Sequence, residues 1–310
     1  MFMALNTNTI CCLIITYYPD ENLYSLIDII ADQVNKIIIV DNNSQGNALD
    51  IILRISDNDK VQIIRNSQNI GIAKGLNQGL LLAIDQKYAW VLTFDQDSKP
   101  FNNIVETISE VYSLYPDNNI IGAIGINYDN KNSKDNYRRF GNLNYCVKDY
   151  LITSGCLLST NAFLKIGGFR EDFFIDNVDM EYSLRLKKYG RISLLTKKTG
   201  MDHKAGQPIK KKLFGLTVIS SNHNRNRRYF MARNNMVLTK EYAFSFPYFI
   251  AKLNYFFILS LLQIILVDDD KSGKILTSIR GILDGLIYSS KYKKIGLTTS
   301  ESEILLKKLS

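Results

Sequence analysis

The sequence predicts an α/β fold built on a mostly parallel central sheet, with a helical extension at its C-terminal end. Two observations predict the sheet. Short β-branched runs alternate with longer helical patterns from the N-terminus onward, as repeated βαβ units do. Each run also ends in polar residues on its carboxyl side, the edge at which open α/β sheets bind ligands. A third observation predicts the extension: beyond about residue 215 the alternation gives way to long apolar stretches of helical spacing.

The first strands fall over residues 10–16, 36–40, 61–65 and 89–94, with helices over 23–32, 48–56 and 72–86 between them. Leu76, Leu80 and Ala83 share one face of the third helix. A helix over 101–115 and a strand over 120–127 follow, and the polar stretch 128–144 reads as a mobile loop or hairpin over the site. A strand over 150–159, a short helix over 161–166, a helix over 178–189 ended by Gly190 and a strand over 191–196 complete the body. Residues 1–215 thus form one catalytic domain and 216–310 a helical module. The run 244–267 is strongly apolar, but Pro247, Lys252, Asn254, Ser260 and Gln263 interrupt it. Its unbroken portions fall short of the ~20 residues a membrane span needs, so an interfacial or core-packed helix is expected. Ile275, Ile279, Ile282 and Leu286 then recur at helical spacing, widened by Leu276, Leu283 and Ile287. That stripe suits either an anionic membrane surface or packing on the preceding helix.

Composition bounds the function. With 46% apolar and 22% charged residues, the chain of 310 is neither disordered nor an integral membrane protein, and it can bury a sizeable core. The net charge of +8 gathers in the second half, at Lys210, Lys211, Lys212, Arg225, Arg227 and Arg228, and suits an anionic partner. The basic residues lack interleaved aromatics, which argues against nucleic acid. No Walker-type glycine-lysine segment is present, which disfavours nucleoside triphosphate hydrolysis of that kind. Cys11, Cys12, Cys146 and Cys156 show no C-x-x-C spacing and fit a reducing cytosol. The first ten residues lack a basic leader and the apolar stretch 10–15 is too short for a signal, so a cytoplasmic body is expected.

Asp95-Gln96-Asp97 follows an apolar strand. In extended geometry residues two apart point to one side, so both carboxylates can face one cation. A hard divalent ion takes one or two carboxylates, with phosphate oxygens and water completing its shell, and it neutralises a departing diphosphate. Gly71, Gly75 and Gly79, spaced four apart at a strand-to-helix junction, allow either close approach of a phosphate to a helix N-terminus or tight helix packing. Asp41 can accept hydrogen bonds from a base or ribose, or close an Asx turn. Arg228 and Arg233 can grip a phosphate or form a solvated basic face.

Thr16-Tyr17, Asp41-Asn42-Asn43-Ser44, the segment 69–79 and Phe94-Asp95-Gln96-Asp97-Ser98, in that order and spacing, resemble the GT-A family 2 glycosyltransferases, particularly their bacterial rhamnosyltransferase branch. The resemblance continues through Thr153-Ser154-Gly155-Cys156, Gly167-Gly168-Phe169, the segment 173–185 and His203. It ends at Arg228-Tyr229-Phe230 and Arg233-Asn234, and so covers roughly residues 9–235. It implies a nucleoside pocket at Thr16, Tyr17, Asp41 and Asn43, with diphosphate contacts near Asn69, Gly71 and Lys74. Asp95 and Asp97 would bind Mg²⁺ or Mn²⁺, with His203 a further candidate ligand that favours Mn²⁺. It also implies inverting transfer from a dTDP- or UDP-sugar, above all L-rhamnose, to a lipid-linked oligosaccharide at the cytoplasmic face of a bacterial inner membrane. Another sugar, such as galactofuranose, glucose or an N-acetylhexosamine, fits the same scaffold. Asp179 matches the family's catalytic base, but Val178 precedes it where many members carry glutamate. That departure leaves Asp176 and Glu181 as rivals, unless Asp176 is an N-cap and Glu181 a surface partner of Arg185.

Overall fold

The computed structural model describes residues 5–128, 140–202, 209–213 and 215–289. They form two compact units, one holding residues 5–171 and 182–202 and the other 172–181 and 209–289.

The first unit opens with β1 (Ile10–Thr16), β2 (Lys36–Asp41), β3 (Val61–Arg65) and β4 (Trp90–Asp95), joined by α1 (Asn22–Ala31), α2 (Asn47–Ile55) and α3 (Ile72–Asp85). β1 pairs in parallel with β2 and β4, and β2 with β3. Helices cover both faces, so the strands are apolar almost without alternation: residues 10–14 and 37–40 are all buried. Burial also pushes the Cys11 and Cys12 thiols well above their usual range, which leaves them inert. α3 reaches β1 through its glycines. A Cβ on Gly79 would overlap the Leu13 side chain, and one on Gly75 would lie 3.4 Å from Ile15.

The rest of this unit comprises β5 (Lys99–Pro100), α4 (Ile104–Leu114), β6 (Ile121–Tyr128), β7 (Tyr145–Lys148), β8 (Cys156–Ser159), α5 (Thr160–Ile166), α6 (Val178–Lys188, its last seven residues here) and β9 (Ile192–Asp202). The sheet runs β3-β2-β1-β4-β8-β6-β9-β5, with β7 on β9. Parallel pairing is concentrated in the first four strands. β8 runs antiparallel to both neighbours, and of the later pairs only β6–β9 is parallel. The strand expected over 150–159 starts only at Cys156, because Gly155 sits at φ +70°, and a Cβ there would meet Ile126 and the Met201 sulfur at 2.5 Å. Of the polar stretch expected to be a loop, residues 129–139 lie outside the described residues, and Tyr145–Lys148 just beyond it is a strand. Gly190, at φ +71°, ends α6 as expected: its N–H reaches the Lys187 carbonyl at 3.1 Å and that of Arg191 reaches Leu186 at 2.9 Å.

The second unit contains a hairpin that periodicity did not predict, β10 (Ile209–Leu213) and β11 (Leu216–Ser220), and three helices, α7 (Arg225–Tyr242), α8 (Pro247–Val267) and α9 (Lys271–Ile287). α9 lies against α7 by its small residues. A Cβ on Gly285 would stand 2.7 Å from the Arg233 carbonyl oxygen, and one on Gly281 would overlap that of Tyr229. The buried face of α9 is therefore Lys274, Ser278, Gly281 and Gly285, while Leu276, Ile279, Leu283, Leu286 and Ile287 face outward. Of the apolar stripe, Ile275 and Ile282 are partly buried and the other five side chains face outward. α8 also departs from expectation. Its polar interruptions do not break it: it is one 21-residue helix, long and apolar enough to cross a membrane by length and composition, and only 17% of its most apolar window is buried. Asn254 is accommodated by hydrogen bonds with Asn235 and Thr239 of α7.

Behind these helices Asp268 is buried against Arg228 at 3.2 Å and Lys274 at 3.1 Å, both buried themselves. Burial alone would raise the Asp268 pKa, but hydrogen bonds from Ser220 and Lys274 and the two positive charges hold it below the usual carboxylate value. Replacing Asp268 with alanine strands two cations in the interior, so urea unfolding should register a loss of about 3–5 kcal/mol at neutral pH. A carboxylate with a depressed pKa contributes its stability above the unfolded value of about 3.9 and loses it as pH falls through the folded value, so the gap to wild type should close in strong acid.

Candidate active site

In-register parallel pairing brings three strand ends to one edge of the first unit. Thr16 stands opposite Asp41, Asp41 opposite Arg65, and Ile15 opposite Asp95. Adjacent parallel strands lie about 4.8 Å apart, so the polar clusters that follow β1, β2 and β4 are immediate neighbours.

Asp41 is fully buried at the centre of this edge. Its Oδ1 accepts from the Thr16 hydroxyl at 3.1 Å and the Ser44 hydroxyl at 2.5 Å, and its Oδ2 from the Ser44 N–H at 3.0 Å, with Arg65 Nε 3.7 Å away. The Asx turn is thus what forms, and the carboxylate is occupied by the protein itself. Ser44 passes the restraint on by accepting from the Tyr18 N–H at 2.9 Å. Asn43 takes φ +69° and accepts from the Gln45 amide at 2.7 Å. Asn42 is buried, with its amide oxygen accepting from Asn66 at 3.0 Å, and Asn66 in turn exchanges hydrogen bonds with Gln78 of α3. These amides tie the ends of β2 and β3 to α3. Asn66 and Gln78 escaped sequence reasoning because lone amides carry no motif.

The strand that carries Asp95 ends there. Gln96 and Asp97 turn, and the Ser98 N–H closes on the Asp95 carbonyl at 3.1 Å. The expectation that extended geometry aligns the two carboxylates is therefore corrected: a tight turn presents them, Asp95 half-buried and Asp97 exposed. Two braces hold that turn. Gln96, between the aspartates, accepts from the Tyr17 N–H at 2.8 Å and donates to the Tyr17 carbonyl at 3.2 Å, an amide clip that sequence reasoning missed. On the other side the Ser98 and Ser154 hydroxyls lie 2.5 Å apart, and Ser154 Oγ accepts from the Asp95 N–H at 3.4 Å. Tyr17 and Tyr18, both about half exposed, meet edge-on at 4.9 Å beside the turn.

The donor set suits a hard divalent cation, since both side chains offer oxygen only. Among the described residues no group of three or more His, Cys, Asp or Glu side chains converges, and a divalent ion held by two carboxylates completes its shell with phosphate oxygens and water. His203 lies outside the described residues. Gly71, at φ +84°, starts α3 with its N–H held by Asn69 Oδ1 at 2.9 Å, and Lys74 is exposed one turn on. Of the three spaced glycines, Gly75 and Gly79 thus serve packing and Gly71 serves the turn.

Asp179 belongs to the second unit, in the first turn of α6, where the helix dipole favours an anion. It is half-buried, and its Oδ1 accepts from the Met180 N–H at 2.8 Å. The two other carboxylates of this segment, Asp176 and Glu181, have partners as well. Arg227 grips Asp176 through Nε and Nη2 at 3.0–3.2 Å. Glu181 is buried rather than on the surface, and accepts from the Tyr242 hydroxyl at 2.9 Å. Near that ion pair His223 is pushed down to about 4, by burial first and then by Arg227, so it is neutral at physiological pH. The two arginines expected to grip phosphate do not face solvent as free cations. Arg228 is 2% exposed and paired with Asp268, and Arg233 donates to Asn234 Oδ1 and to the Asp172 carbonyl. Each guanidinium has an internal acceptor, Asp268 for Arg228 and Asn234 Oδ1 for Arg233, while Arg228 Nε is buried without one.

Known proteins share this architecture. The family model for glycosyl transferase family 2 matches residues 11–179. A dTDP-rhamnosyl transferase, RfbF, from Shigella flexneri is 30% identical over 253 residues, which cover 76% of this chain and 81% of that protein. Among solved structures, the mannosyltransferase PcManGT from Pyrobaculum calidifontis, in complex with GDP-Man and Mn2+, aligns with 97% of this chain and 79% of its own at 14% identity and a TM-score of 0.52. TarS 1-349 of S. aureus aligns with 97% of this chain and 78% of its own at 12% identity and a TM-score of 0.49. The fold is the GT-A type that the sequence predicted, with its C-terminal helices. With the family model spanning more than half of the chain and a relative at this identity over most of both lengths, the protein is a glycosyltransferase and belongs to glycosyl transferase family 2.

Proposed function

We propose that the protein transfers L-rhamnose from dTDP-rhamnose, with inversion, to a lipid-linked glycan acceptor in bacterial surface polysaccharide synthesis, such as O-antigen or capsule. The observation that carries the reading is the 30% identity to a dTDP-rhamnosyl transferase, which extends well beyond the family segment. In this reading Tyr17, with Thr16 and Asn43 beside it, contacts the nucleoside, and Asp41 acts from inside by fixing Thr16 and Ser44. Gly71, Asn69 and Lys74 face the diphosphate, because a helix N-terminus and an exposed ammonium both favour phosphate. Asp95 and Asp97 hold Mg²⁺ or Mn²⁺, which when bound supplies Lewis-acid neutralisation of the leaving nucleoside diphosphate. Asp179 takes the proton from the acceptor hydroxyl as that oxygen attacks the anomeric carbon.

The acceptor is lipid-borne, and the outward-facing apolar side chains of α8 and α9 supply a surface for the membrane that carries it. Leu276, Ile279 and Leu283 lie on one side of α9, and Lys210, Lys211 and Lys212 are exposed on the hairpin of the same unit. Apolar area and positive charge together suit an anionic bilayer surface at the cytoplasmic side.

Incubation of the purified protein with dTDP-rhamnose, other nucleotide sugars and Mn²⁺ or Mg²⁺ should release dTDP fastest from dTDP-rhamnose; preferential turnover of another donor would refute the sugar assignment. Asp97→Ala should abolish the metal-dependent thermal stabilisation by dTDP. Asp179→Asn should keep that stabilisation while lowering turnover by about 10²- to 10⁴-fold, the range of a lost general base. Sedimentation with phosphatidylglycerol vesicles should recover the wild type and leave a Leu276→Ser, Ile279→Ser, Leu283→Ser variant largely in the supernatant; equal recovery would remove α9 from the membrane contact.

A further inference from the structure

The segment that leads into Asp179 is held in an unfavourable backbone conformation. Phe174, Asp176 and Asn177 take φ of +50°, +63° and +59°, and none is glycine. Each such residue costs of the order of 1 kcal/mol, so three within four positions persist only where their surroundings impose them. The last two stand directly before α6, whose first hydrogen bond runs from the Glu181 N–H to the Asn177 carbonyl at 3.0 Å. Their dihedral angles therefore set where the first turn of α6, and with it Asp179, points.

One side chain of α7 gathers this loop. Asn234, fully buried, directs its amide nitrogen at the carbonyl oxygens of Phe173, Ile175 and Asp176, at 3.0, 2.8 and 2.9 Å. The orientation of that amide is dictated by its neighbour. Arg233 donates from Nε at 3.0 Å and Nη2 at 2.7 Å to Asn234 Oδ1, which turns the nitrogen toward the loop. The Arg233 guanidinium is itself seated 5.0 Å from the Phe230 ring centre, and Phe230 stacks on Phe174 at 5.2 Å. Arg227 adds a fork on the Asp176 carboxylate, and Tyr242 fixes Glu181 one turn into the helix. Arg227, Phe230, Arg233 and Asn234 of α7 thus converge on a single backbone segment, while Arg228 and Tyr229 turn to Asp268 and Asp284.

We infer that Asn234, oriented by Arg233, is a positioning residue for Asp179: its amide holds the left-handed loop 173–177 and thereby aims the carboxylate at the acceptor hydroxyl. The inference rests on the assignment of Asp179 as the base. A misplacement of about 1 Å at a reacting group costs on the order of 100-fold in rate, so the loss of one amide need not unfold the protein to silence it.

The test is a double-mutant cycle on the full chain, with dTDP release from dTDP-rhamnose in the presence of Mn²⁺ and the native acceptor extract as readout. Asn234→Ala should lower kcat by about 10- to 100-fold with KM for the donor changed less than about twofold. In the Asp179→Asn background the same change should lower kcat no further, because a residue that acts only through Asp179 has nothing left to position. If Asn234→Ala retains wild-type kcat while Asp179→Asn is inactive, the positioning role is wrong; multiplicative losses would likewise overturn it, since they describe general destabilisation. If Asp179→Asn retains wild-type kcat, the base assignment fails instead, and the two failures are told apart. Circular dichroism checks folding of each variant. Should Asn234→Ala not fold, Arg227→Gln, which removes a half-exposed α7 side chain from its grip on Asp176 of the same loop, carries the cycle with the same predicted non-additivity.

Discussion

The in-register parallel pairing of β1, β2 and β4 is the constraint on which the donor side of the protein depends. Parallel strands connected through helices all run the same way, so their carboxyl ends lie side by side whatever the loops do. Register then decides which loop residues meet: Thr16 lies across from Asp41, and Asp95 is one position out of line on the opposite flank. Asp41 converts that adjacency into a fixed shape. A buried carboxylate needs its hydrogen bonds satisfied, and the donors it recruits, Thr16 and both groups of Ser44, belong to two strand ends. Gln96 then clips the β4 turn to Tyr17 on β1. The edge is held by polar side chains bonded to one another and to backbone, which keeps the remaining groups, Tyr17 and Asp97 among them, presented to solvent in fixed places.

The second unit solves a different problem with the same chemistry. A backbone run with three left-handed residues is unfavourable on its own, and its carbonyls need donors once they are turned away from water. Asn234 provides them for Phe173, Ile175 and Asp176, and Arg233 of the same helix for Asp172. Arg228 meets its complement in Asp268, Arg233 in the Asn234 oxygen, and Asn234 in the loop. The positive charge that marks this element in the sequence is matched by acidic partners, inside the protein at Arg228 and at its surface at Arg225 and Arg227.

This explains what sequence reading reached and what it did not. The alternation of strands and helices, the three polar strand ends and the Gly190 cap were legible because each depends on local spacing or on one residue's backbone freedom. The β10–β11 hairpin escaped because Lys210-Lys211-Lys212 hides the alternation of its first strand. The roles of Arg228 and Arg233 escaped for a deeper reason: whether a guanidinium faces a ligand or a buried aspartate 40 positions away is a tertiary fact with no local signature. The D-x-D pair was found by motif, yet the reason given from strand geometry was wrong, since the turn that forms depends on Ser154, more than fifty residues on.

The apolar stripe of α9 makes the same point about amphipathicity. Periodicity states that a helix has one apolar face, and it is silent on what that face meets. Here the contact with α7 is made at Gly281 and Gly285, where backbone approaches backbone, and the helix could not turn its leucines inward without losing that approach. The small-residue face is thus committed to the interior, and Leu276, Ile279, Leu283, Leu286 and Ile287 are displayed on the other side. Each such side chain kept in water forgoes about 1.5–3 kcal/mol of burial. The glycines that bring α9 against α7 are therefore what present the apolar face to a membrane in the proposed function, and the same contact packs Gly285 on the backbone of Arg233, the residue that orients Asn234.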